Sequence, residues 1–356
     1  MQNYLLRISM WVLGISALVG NLLSVILRLT EKSRSPVQRV QTVLIGNLAA
    51  SDFLMGIYML ILASADLYYG DEYFLYSDQW RSGIVCKIAG FISLVSSEAS
   101  VLLLTVISYD RFMGVVFPFS RRRLTPGSVK LAVGVLWLLV FAISIVPILL
   151  AGPTSDFYDL SDVCIGLPLI TRPSSFQFQP NDLSQTLTFD LPVKEDSKPA
   201  WYFSIALFLV VNLVCFLGIL LIYIIIFYSL RQSANKVKRT IDTKEEMKMA
   251  TKMALIVGTD FLCWMPVIIM GILSQTGAVV IPLEAYTWSV VFVLPINSSL
   301  NPYIYTITSL LGNQKLKKKH AADKARALAG GLVRVTVETS HSTKSTAALD
   351  SGKTSG

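Results

Sequence analysis

Long apolar runs separated by short polar segments dominate the chain. A bilayer core about 30 Å thick needs roughly 20 apolar residues in helical form. Seven runs reach that length, and three of them hold a single acid, Asp52, Glu98 or Asp260. We predict spans at residues 8–27, 40–65, 88–109, 131–151, 201–230, 253–283 and 285–311. The pattern predicts an all-α membrane protein, a seven-transmembrane helix bundle, and excludes the short alternating strands of outer-membrane barrels.

The distribution of positive charge predicts which way the bundle faces. An odd number of spans puts the termini on opposite sides, and 25 of the 31 Lys and Arg residues fall on the side of the C-terminal tail. Cytoplasmic loops carry the excess of Lys and Arg. We therefore expect a multi-pass plasma-membrane protein with an extracellular N-terminus and a cytoplasmic C-terminus.

Residues 311–356 differ in composition from residues 1–310, which we predict to form the bundle domain. The tail is basic at first and rich in Ser and Thr from Thr336 onward. We expect a short cytoplasmic amphipathic helix that lies on membrane lipid, followed by disorder.

Composition removes most other classes of protein. Hydrophobic residues make up 53% of the chain and charged residues 15%, well below the roughly 25% of a soluble protein. Both His residues, His320 and His341, lie in the polar tail, so catalysis or metal binding by His is not expected. The net charge of +8 reflects the excess of Lys and Arg on the side of the C-terminal tail. It does not indicate a nucleic-acid partner.

Polar residues inside the spans are the candidate functional groups, because charge in hydrocarbon is costly and usually serves a function. Asp52 shares its expected depth with other oxygen-bearing side chains, namely Asn21, Ser100, Asn297 and Asn301. Such a set suits a partly hydrated sodium ion, with Asp52 and Ser100 as possible metal ligands. The alternative is a hydrogen-bond network that only holds the helices together.

A second group of residues is typical of a conformational switch. Asp260, Trp264 and Pro266 place a carboxyl group, a large indole and a helix bend on the sixth span. Pro302 removes a backbone hydrogen bond from the seventh span, so that Tyr305 can move with the helix beyond it. Alternatively, Asp260 only pairs with a polar group of the seventh span. Two further candidates are Glu98 and the pair Asp110 and Arg111. For Arg111 the alternative is that it only extends toward water, as an Arg at a span end commonly does.

The four Cys residues fall into two kinds. Cys86 and Cys164 lie on the predicted outer side, where the compartment is oxidising, so we expect a disulfide between them. Cys215 and Cys263 lie within spans and are expected to be free and buried.

These motifs occur in order on seven helices, and from about residue 4 to 322 the chain resembles the rhodopsin-like G-protein-coupled receptors. The matching pieces are Gly20-Asn21, NLAASD at 47–52, Cys86, Asp110-Arg111-Phe112, Trp137, CWMP at 263–266 and NPYIY at 301–305. SSEAS at 96–100, TDFLCWMP at 259–266 and LPINSSLNP at 294–302 look like the leucine-rich-repeat-containing hormone receptors, most of all the relaxin-receptor branch.

The resemblance implies a signalling mechanism. It implies a peptide or protein hormone outside and a heterotrimeric G protein inside, with coupling that raises cAMP. Arg111 would leave Asp110 and face the G protein, while Tyr223 and Tyr305 move toward the vacated space. Phe119, after Pro118, would insert into the G protein. The Ser/Thr-rich tail would be a site for receptor kinases and arrestin.

The chain also departs from that family. At most seven residues precede the first predicted span, and no leucine-rich repeat is found. We therefore expect a fragment, a processed module or a receptor without a capture domain. A secondary transporter and a non-signalling receptor fragment remain alternatives. No enzyme is expected, since no intramembrane protease motif is present, and no cofactor other than a structural sodium ion is expected.

Overall fold

The structure is a computed structural model of the chain. It describes residues 4–31, 35–117, 120–150, 158, 161–165, 176–178, 187–189, 203, 205–234, 241–276, 278–279 and 283–304. The first five helices are α1 (Tyr4–Thr30), α2 (Pro36–Tyr69), α3 (Tyr73–Ser82), α4 (Ile84–Val116) and α5 (Pro126–Leu150). A turn of 3-10 helix, Gly70–Glu72, joins α2 to α3.

The second half of the chain contains two π-helical segments. A hairpin of β1 (Phe176–Phe178) and β2 (Leu187–Phe189) pairs antiparallel, with Gln177 opposite Thr188. The π-helical segment Ile205–Val211 leads into α6 (Asn212–Ala234), which is followed by α7 (Ile241–Gln275). The last described helix consists of α8 (Leu283–Trp288), a π-helical segment Ser289–Val293 and α9 (Leu294–Pro302).

The described residues contain six helices that are long and apolar enough to cross a membrane, and these correspond to the first six predicted spans. The seventh predicted span begins as α8 and α9, and its residues from Tyr305 onward lie outside the described part, as does the predicted amphipathic helix. The all-α fold class is confirmed. The helix α3 was not predicted, because its polar sequence lies in a loop between two spans.

The third span, α4, is the central helix of the bundle. In its most apolar stretch 72% of the residues are buried, compared with 28% for α1 and for α5. Every residue from Ser93 to Ser100 is buried. Small side chains such as Ala89, Ser97 and Ala99 let the neighbouring helices approach closely, as is usual between helices in membranes. The bundle therefore encloses the polar stretch that holds Glu98.

Local sequence signals set the start of the second span. Ser35 precedes Pro36, the first helical residue, and its side chain accepts a hydrogen bond from the backbone N–H of Gln38. This is a typical N-cap followed by proline at the first helical position. Below, the end of the bundle that holds Cys86 is called the disulfide end, and the opposite end is called the Arg111 end.

Candidate functional site

The carboxylate of Asp52 joins the second span to the seventh. Its Oδ1 accepts a hydrogen bond from the Ser298 hydroxyl at 2.9 Å, and its Oδ2 accepts one from the Asn301 amide at 2.8 Å. Asn21 on the first span donates to the backbone oxygen of Ser298 at 2.9 Å. Asp52 is fully buried and forms no ion pair with any described residue. The negative charge therefore lacks a protein counter-charge in this part of the chain.

The residues predicted for a sodium site carry oxygens that fit this ion in their chemistry. Ser100 Oγ and Asn301 Oδ1 are buried, and neither has a hydrogen-bond partner among the described residues. Carboxylate and neutral oxygens are the ligands that hard cations take. A sodium ion held by Asp52, Ser100 and Asn301 would supply the missing positive charge. Ser100 itself forms no hydrogen bond with Asp52, and Asn297 points to a different acid.

That second acid is Asp260 on the sixth span. The Asn297 amide donates to Asp260 Oδ1, and the Thr259 hydroxyl donates to Asn297 Oδ1 at 3.4 Å. Asp260 is 1% exposed, and its Oδ2 finds no hydrogen-bond partner in the part of the chain that the structure describes. Two adjacent residues of the seventh span, Asn297 and Ser298, thus bind acids of two different helices.

Aromatic rings surround Trp264, one turn beyond Asp260. Its indole stacks on Phe208 with 6.2 Å between ring centroids, and it meets Phe216 at 6.3 Å. Phe208 belongs to the π-helical segment of the fifth span. The predicted bend residue Pro266 lies two positions further along α7. The fifth and sixth spans are therefore coupled through ring contacts close to Pro266.

Glu98 couples the third span to the fifth. It is 1% exposed, and its Oε1 accepts a hydrogen bond from the Asn212 amide at 3.4 Å. Asn212 is the first residue of α6, directly after the π-helical segment. This contact places a buried carboxyl group next to the irregular part of the fifth span.

Arg111 is buried at its end of the bundle and does not extend to solvent. It pairs with Asp110, and each of these two residues is 4% exposed. When the Gln41 amide oxygen faces Arg111, it accepts hydrogen bonds from both terminal guanidinium nitrogens at 2.9 Å. The Tyr223 hydroxyl is buried nearby, close enough to interact with Ser108 and Arg111. The predicted residues Pro118, Phe119 and Tyr305 lie outside the described residues, whereas Pro302 is buried at the end of α9.

A loop segment closes the disulfide end. The predicted disulfide between Cys86 and Cys164 is confirmed, with the two Cα atoms 5.3 Å apart. The Tyr58 hydroxyl donates to the backbone oxygen of Val163 at 2.7 Å, and the Trp80 indole donates to that of Asp162 at 2.9 Å. The loop containing Tyr158 and residues 161–165 is therefore fixed to the second and third spans and to α3.

This loop fills the space between the spans. Its residues Tyr158 and Ile165 lie against Gly90, Phe208 and Leu294, and the gap between them admits no water molecule. A Cβ atom on Gly90 would come within 2.1 Å of the Cys164 carbonyl oxygen, so only glycine fits there. The Tyr158 hydroxyl donates to the backbone oxygen of Ser144 at 2.8 Å. Burial raises the pKa of that hydroxyl, so it keeps its proton at physiological pH.

Several residues of these networks were not predicted from the sequence. Asn212 could have been found, because it is the sole side-chain amide within residues 201–230. The sequence did not single out Gln41, because it lies near a span end, where polar residues are common. The partners found by the structure are Gln41, Tyr58, Phe208, Asn212, Phe216, Thr259 and Ser298.

A helical bundle that buries three acids in its core and an ion-paired Arg at one end has the architecture of a seven-transmembrane receptor. The family described as 7 transmembrane receptor (rhodopsin family) matches residues 20–305, and the chain belongs to that family. It is a multi-pass membrane protein of the receptor class.

Several curated relatives are similar over the transmembrane region. The chain is 38% identical over 315 residues to the G-protein coupled receptor GRL101 of Lymnaea stagnalis, covering 88% of this chain and 26% of that protein. It is 31% identical to relaxin receptor 2 of Homo sapiens, covering 89% and 39%. Relaxin receptor 1 of Homo sapiens is 30% identical, covering 85% and 37%. The resemblance to relaxin receptors is confirmed, and the chain spans about a quarter to two fifths of these relatives.

Proposed function

We propose that the protein is a plasma-membrane receptor that transmits an extracellular peptide-hormone signal, of the relaxin kind, to a heterotrimeric G protein. The stimulatory G protein, which raises cAMP, is the proposed partner. The excess of Lys and Arg on the side of the C-terminal tail supports an extracellular disulfide end and a cytoplasmic Arg111 end. The names of the similar relatives support both the G protein and the class of hormone.

The burial of Arg111 is the observation that carries this proposal. An Arg that served only to anchor the helix end would extend its guanidinium to the interface. Here the guanidinium is desolvated and held by Asp110 on its own helix and by Gln41 on the second span. A charge restrained in this way can be released by a movement of the helices, which is the property a signalling switch needs.

The proposed mechanism has two states of one bundle. In the inactive state, the bond between Asp260 and Asn297 and the rings around Trp264 hold the sixth span inward. A bound sodium ion would supply the counter-charge of Asp52 in that state. Agonist action favours an outward movement of the sixth span at Pro266. Arg111 then leaves Asp110 and contacts the G protein.

Four residues complete this proposal at the cytoplasmic face. Tyr223, whose hydroxyl lies near Arg111, moves into the vacated space together with Tyr305. Phe119 inserts into the G protein, with Pro118 before it. After activation, receptor kinases and arrestin act on the tail, residues 311–356. The apolar Phe119 in a basic loop supports its role, since an apolar side chain is unusual in a solvated turn.

The contacts of the loop at the disulfide end support an agonist that acts from outside. Tyr158 and Ile165 of that loop lie between the spans, and the gap beside them admits no water molecule. A hormone that moves the loop would change its contacts with the second, third and fourth spans at once, through Tyr58, the Cys86 disulfide and Ser144.

Nucleotide exchange on purified G proteins tests the proposal. Membranes that contain the chain are mixed with stimulatory, inhibitory or Gq-type heterotrimers, and exchange is compared with empty membranes. We expect exchange above background on the stimulatory heterotrimer only, and a larger response when the chain is fused to a relaxin-type ectodomain and stimulated. The variant Phe119→Ala should lose exchange at an unchanged surface level. Background exchange on every heterotrimer, even from the stimulated fusion, would favour the non-signalling alternative.

A further inference from the structure

One hydrogen bond between the first and seventh spans is not used by the signalling mechanism. The hydroxyl groups of Ser16, on α1, and Tyr303, which follows α9, lie 3.1 Å apart, and either one can be the donor. Ser9 and Ser24, on the same helix, donate to the backbone oxygen four residues earlier, as a Ser within a helix often does. The hydroxyl group of Ser16 bonds to another span instead. Below, Ser16 and Tyr303 are called the hydroxyl pair.

The hydroxyl pair lies at the middle of the membrane. The helix α1 runs from Tyr4 to Thr30, so Ser16 is close to its centre. With a rise of 1.5 Å per residue, about 18 Å of helix precede Ser16 and about 21 Å follow it, whereas half of the hydrocarbon core is about 15 Å thick. Tyr303 is 48% exposed on the surface of the bundle, so at this depth it faces lipid. A hydroxyl group that lost its partner there would have no water to replace it.

The part of the seventh span before Tyr303 has its own contacts with the first span. Asn21 donates to the backbone oxygen of Ser298 at 2.9 Å. A Cβ atom on Gly20 would come within 2.9 Å of the Pro302 ring, so the two helices approach closely there. These contacts hold α9 against α1 as far as Pro302. The hydroxyl pair holds the first residue beyond it.

The seventh span can bend most easily at Pro302, next to the hydroxyl pair. Proline has no backbone N–H, so one hydrogen bond of the helix is missing there. In the proposed function, Tyr305 moves toward the space beside Arg111, inside the bundle. Tyr303, two positions earlier, would then move away from α1, and the hydroxyl pair would open.

We propose that the hydroxyl pair restrains the seventh span beyond Pro302 and thereby favours the inactive state. Opening the pair leaves two hydroxyl groups in hydrocarbon without each other, and the active state carries this cost. Ser16 and Tyr303 are thus positioning residues, which act through the segment that carries Tyr305. This restraint rests on the movement in the proposed function, and its two effects, on the helix and on signalling, can be measured separately.

Amide hydrogen exchange of the full chain in nanodiscs measures the restraint without a G protein. Tyr303→Phe removes only the hydroxyl group, and Ser16→Ala removes its partner. We expect either variant to speed exchange about threefold in peptides that contain the residues following Pro302, since a hydrogen bond between membrane helices contributes about this factor. Peptides that end before Pro302 should keep their rates, because Asn21 still holds that part. Tyr228→Phe is the matched control, since Tyr228 is 72% exposed on α6.

The double variant shows whether the two hydroxyl groups act as a pair. If they bond to each other, Ser16→Ala combined with Tyr303→Phe should exchange no faster than either single variant. Exchange that is unchanged in both single variants, or effects that simply add in the double variant, would overturn the proposal. Faster exchange along the whole of the seventh span would overturn it as well, because that result indicates a general loss of packing and not a local restraint.

Basal nucleotide exchange then tests the effect on signalling. On the stimulatory heterotrimer and at matched surface level, each single variant should raise basal exchange about threefold, the double variant no further, and Tyr228→Phe not at all. Basal exchange that is measurable but unchanged in both single variants would mean that the hydroxyl pair is only structural, which contradicts its proposed effect on the inactive state. Background exchange from every chain, the unmodified one included, would count against the proposed function, and amide exchange would then decide on the restraint by itself.

Discussion

Asp260 and Asn297 join the sixth span to the seventh through one buried hydrogen bond. Removing the acid leaves the Asn297 amide without this partner, which raises the free energy of the inactive state by about 1–3 kcal/mol. The equilibrium constant between the inactive and active states then changes roughly five- to 150-fold. We expect Asp260→Ala to raise basal cAMP several-fold at matched surface expression.

The control for this variant lies on the same helix. Leu262 is 72% exposed to lipid, so Leu262→Ala should leave basal cAMP unchanged. Equal basal signalling from Asp260→Ala and Leu262→Ala would show that the pair does not restrain the inactive state.

The charge of Asp52 leads to a prediction about ions. Because no described residue forms an ion pair with it, a bound sodium ion should stabilise the folded receptor. We expect the melting temperature of the unmodified chain to be higher in sodium than in potassium, and Asp52→Asn to abolish that difference. Glu98→Gln changes another buried acid and should keep the response. No difference between the two salts in the unmodified chain would mean that the network is only structural.

Single residues show which part of this site could be predicted from the sequence. The three acids within the spans were expected to face the interior, because charge is costly in hydrocarbon, and each is at most 1% exposed. Their partners were assigned only in part, since Asn297 and Asn301 were both placed beside Asp52, whereas the Asn297 amide bonds to Asp260. The side chains of Asn297 and Ser298 leave the helix in directions about 100° apart. Both directions point into the bundle, and hydropathy does not indicate which acid each side chain meets.

At the scale of elements, the loop at the disulfide end depends on a close approach to α4. A Cβ atom on Gly90 would overlap the Cys164 carbonyl oxygen and the Tyr158 ring, at 2.1 and 2.3 Å. Both the carbonyl and the ring would need to move, and overpacking of this kind costs about 1–3 kcal/mol. We expect Gly90→Ala to lower the melting temperature by several degrees.

Another glycine provides the comparison for this variant. A Cβ atom on Gly134, in the fourth span, would meet nothing within 4 Å. Gly134→Ala should therefore melt at the temperature of the unmodified chain or slightly above it, because Ala favours a helix more than Gly does. If the two alanine variants melt at the same temperature, the loop does not pack on the third span as described.

The helices themselves were largely predictable, whereas their irregularities were not. Runs of about 20 apolar residues predicted the spans because a helix satisfies its own backbone in lipid. The π-helical segments Ile205–Val211 and Ser289–Val293 occur inside such runs, where every residue is apolar or small and hydropathy does not change. The first of these segments contains Phe208, whose ring contacts Trp264 of the neighbouring sixth span.

At the scale of the whole molecule, the two ends of the bundle have different roles. The disulfide end is closed by a loop that contacts the second, third and fourth spans, and the Arg111 end holds a buried charge. Between them, the acids Asp52, Glu98 and Asp260 connect the second, third and sixth spans to their neighbours. A change at one end can reach the other through these contacts if the bundle has two discrete arrangements.

We propose that Arg111 leaves Asp110 and contacts a G protein on activation. Nucleotide exchange on the stimulatory heterotrimer, measured for Arg111→Lys at matched surface level, tests this release. Lys keeps the charge but not the planar guanidinium. Arg28→Lys is the matched control, because Arg28 in the last turn of α1 is also ion-paired, with Glu31 at 2.8 Å.

We predict that Arg111→Lys lowers exchange about tenfold or more, as expected for the loss of a hydrogen bond to a charged group. Arg28→Lys should stay within about twofold of the unmodified chain, since exposed ion pairs contribute little. If exchange by Arg111→Lys equals that of the unmodified chain, Arg111 is only an anchor at the helix end and does not contact the G protein.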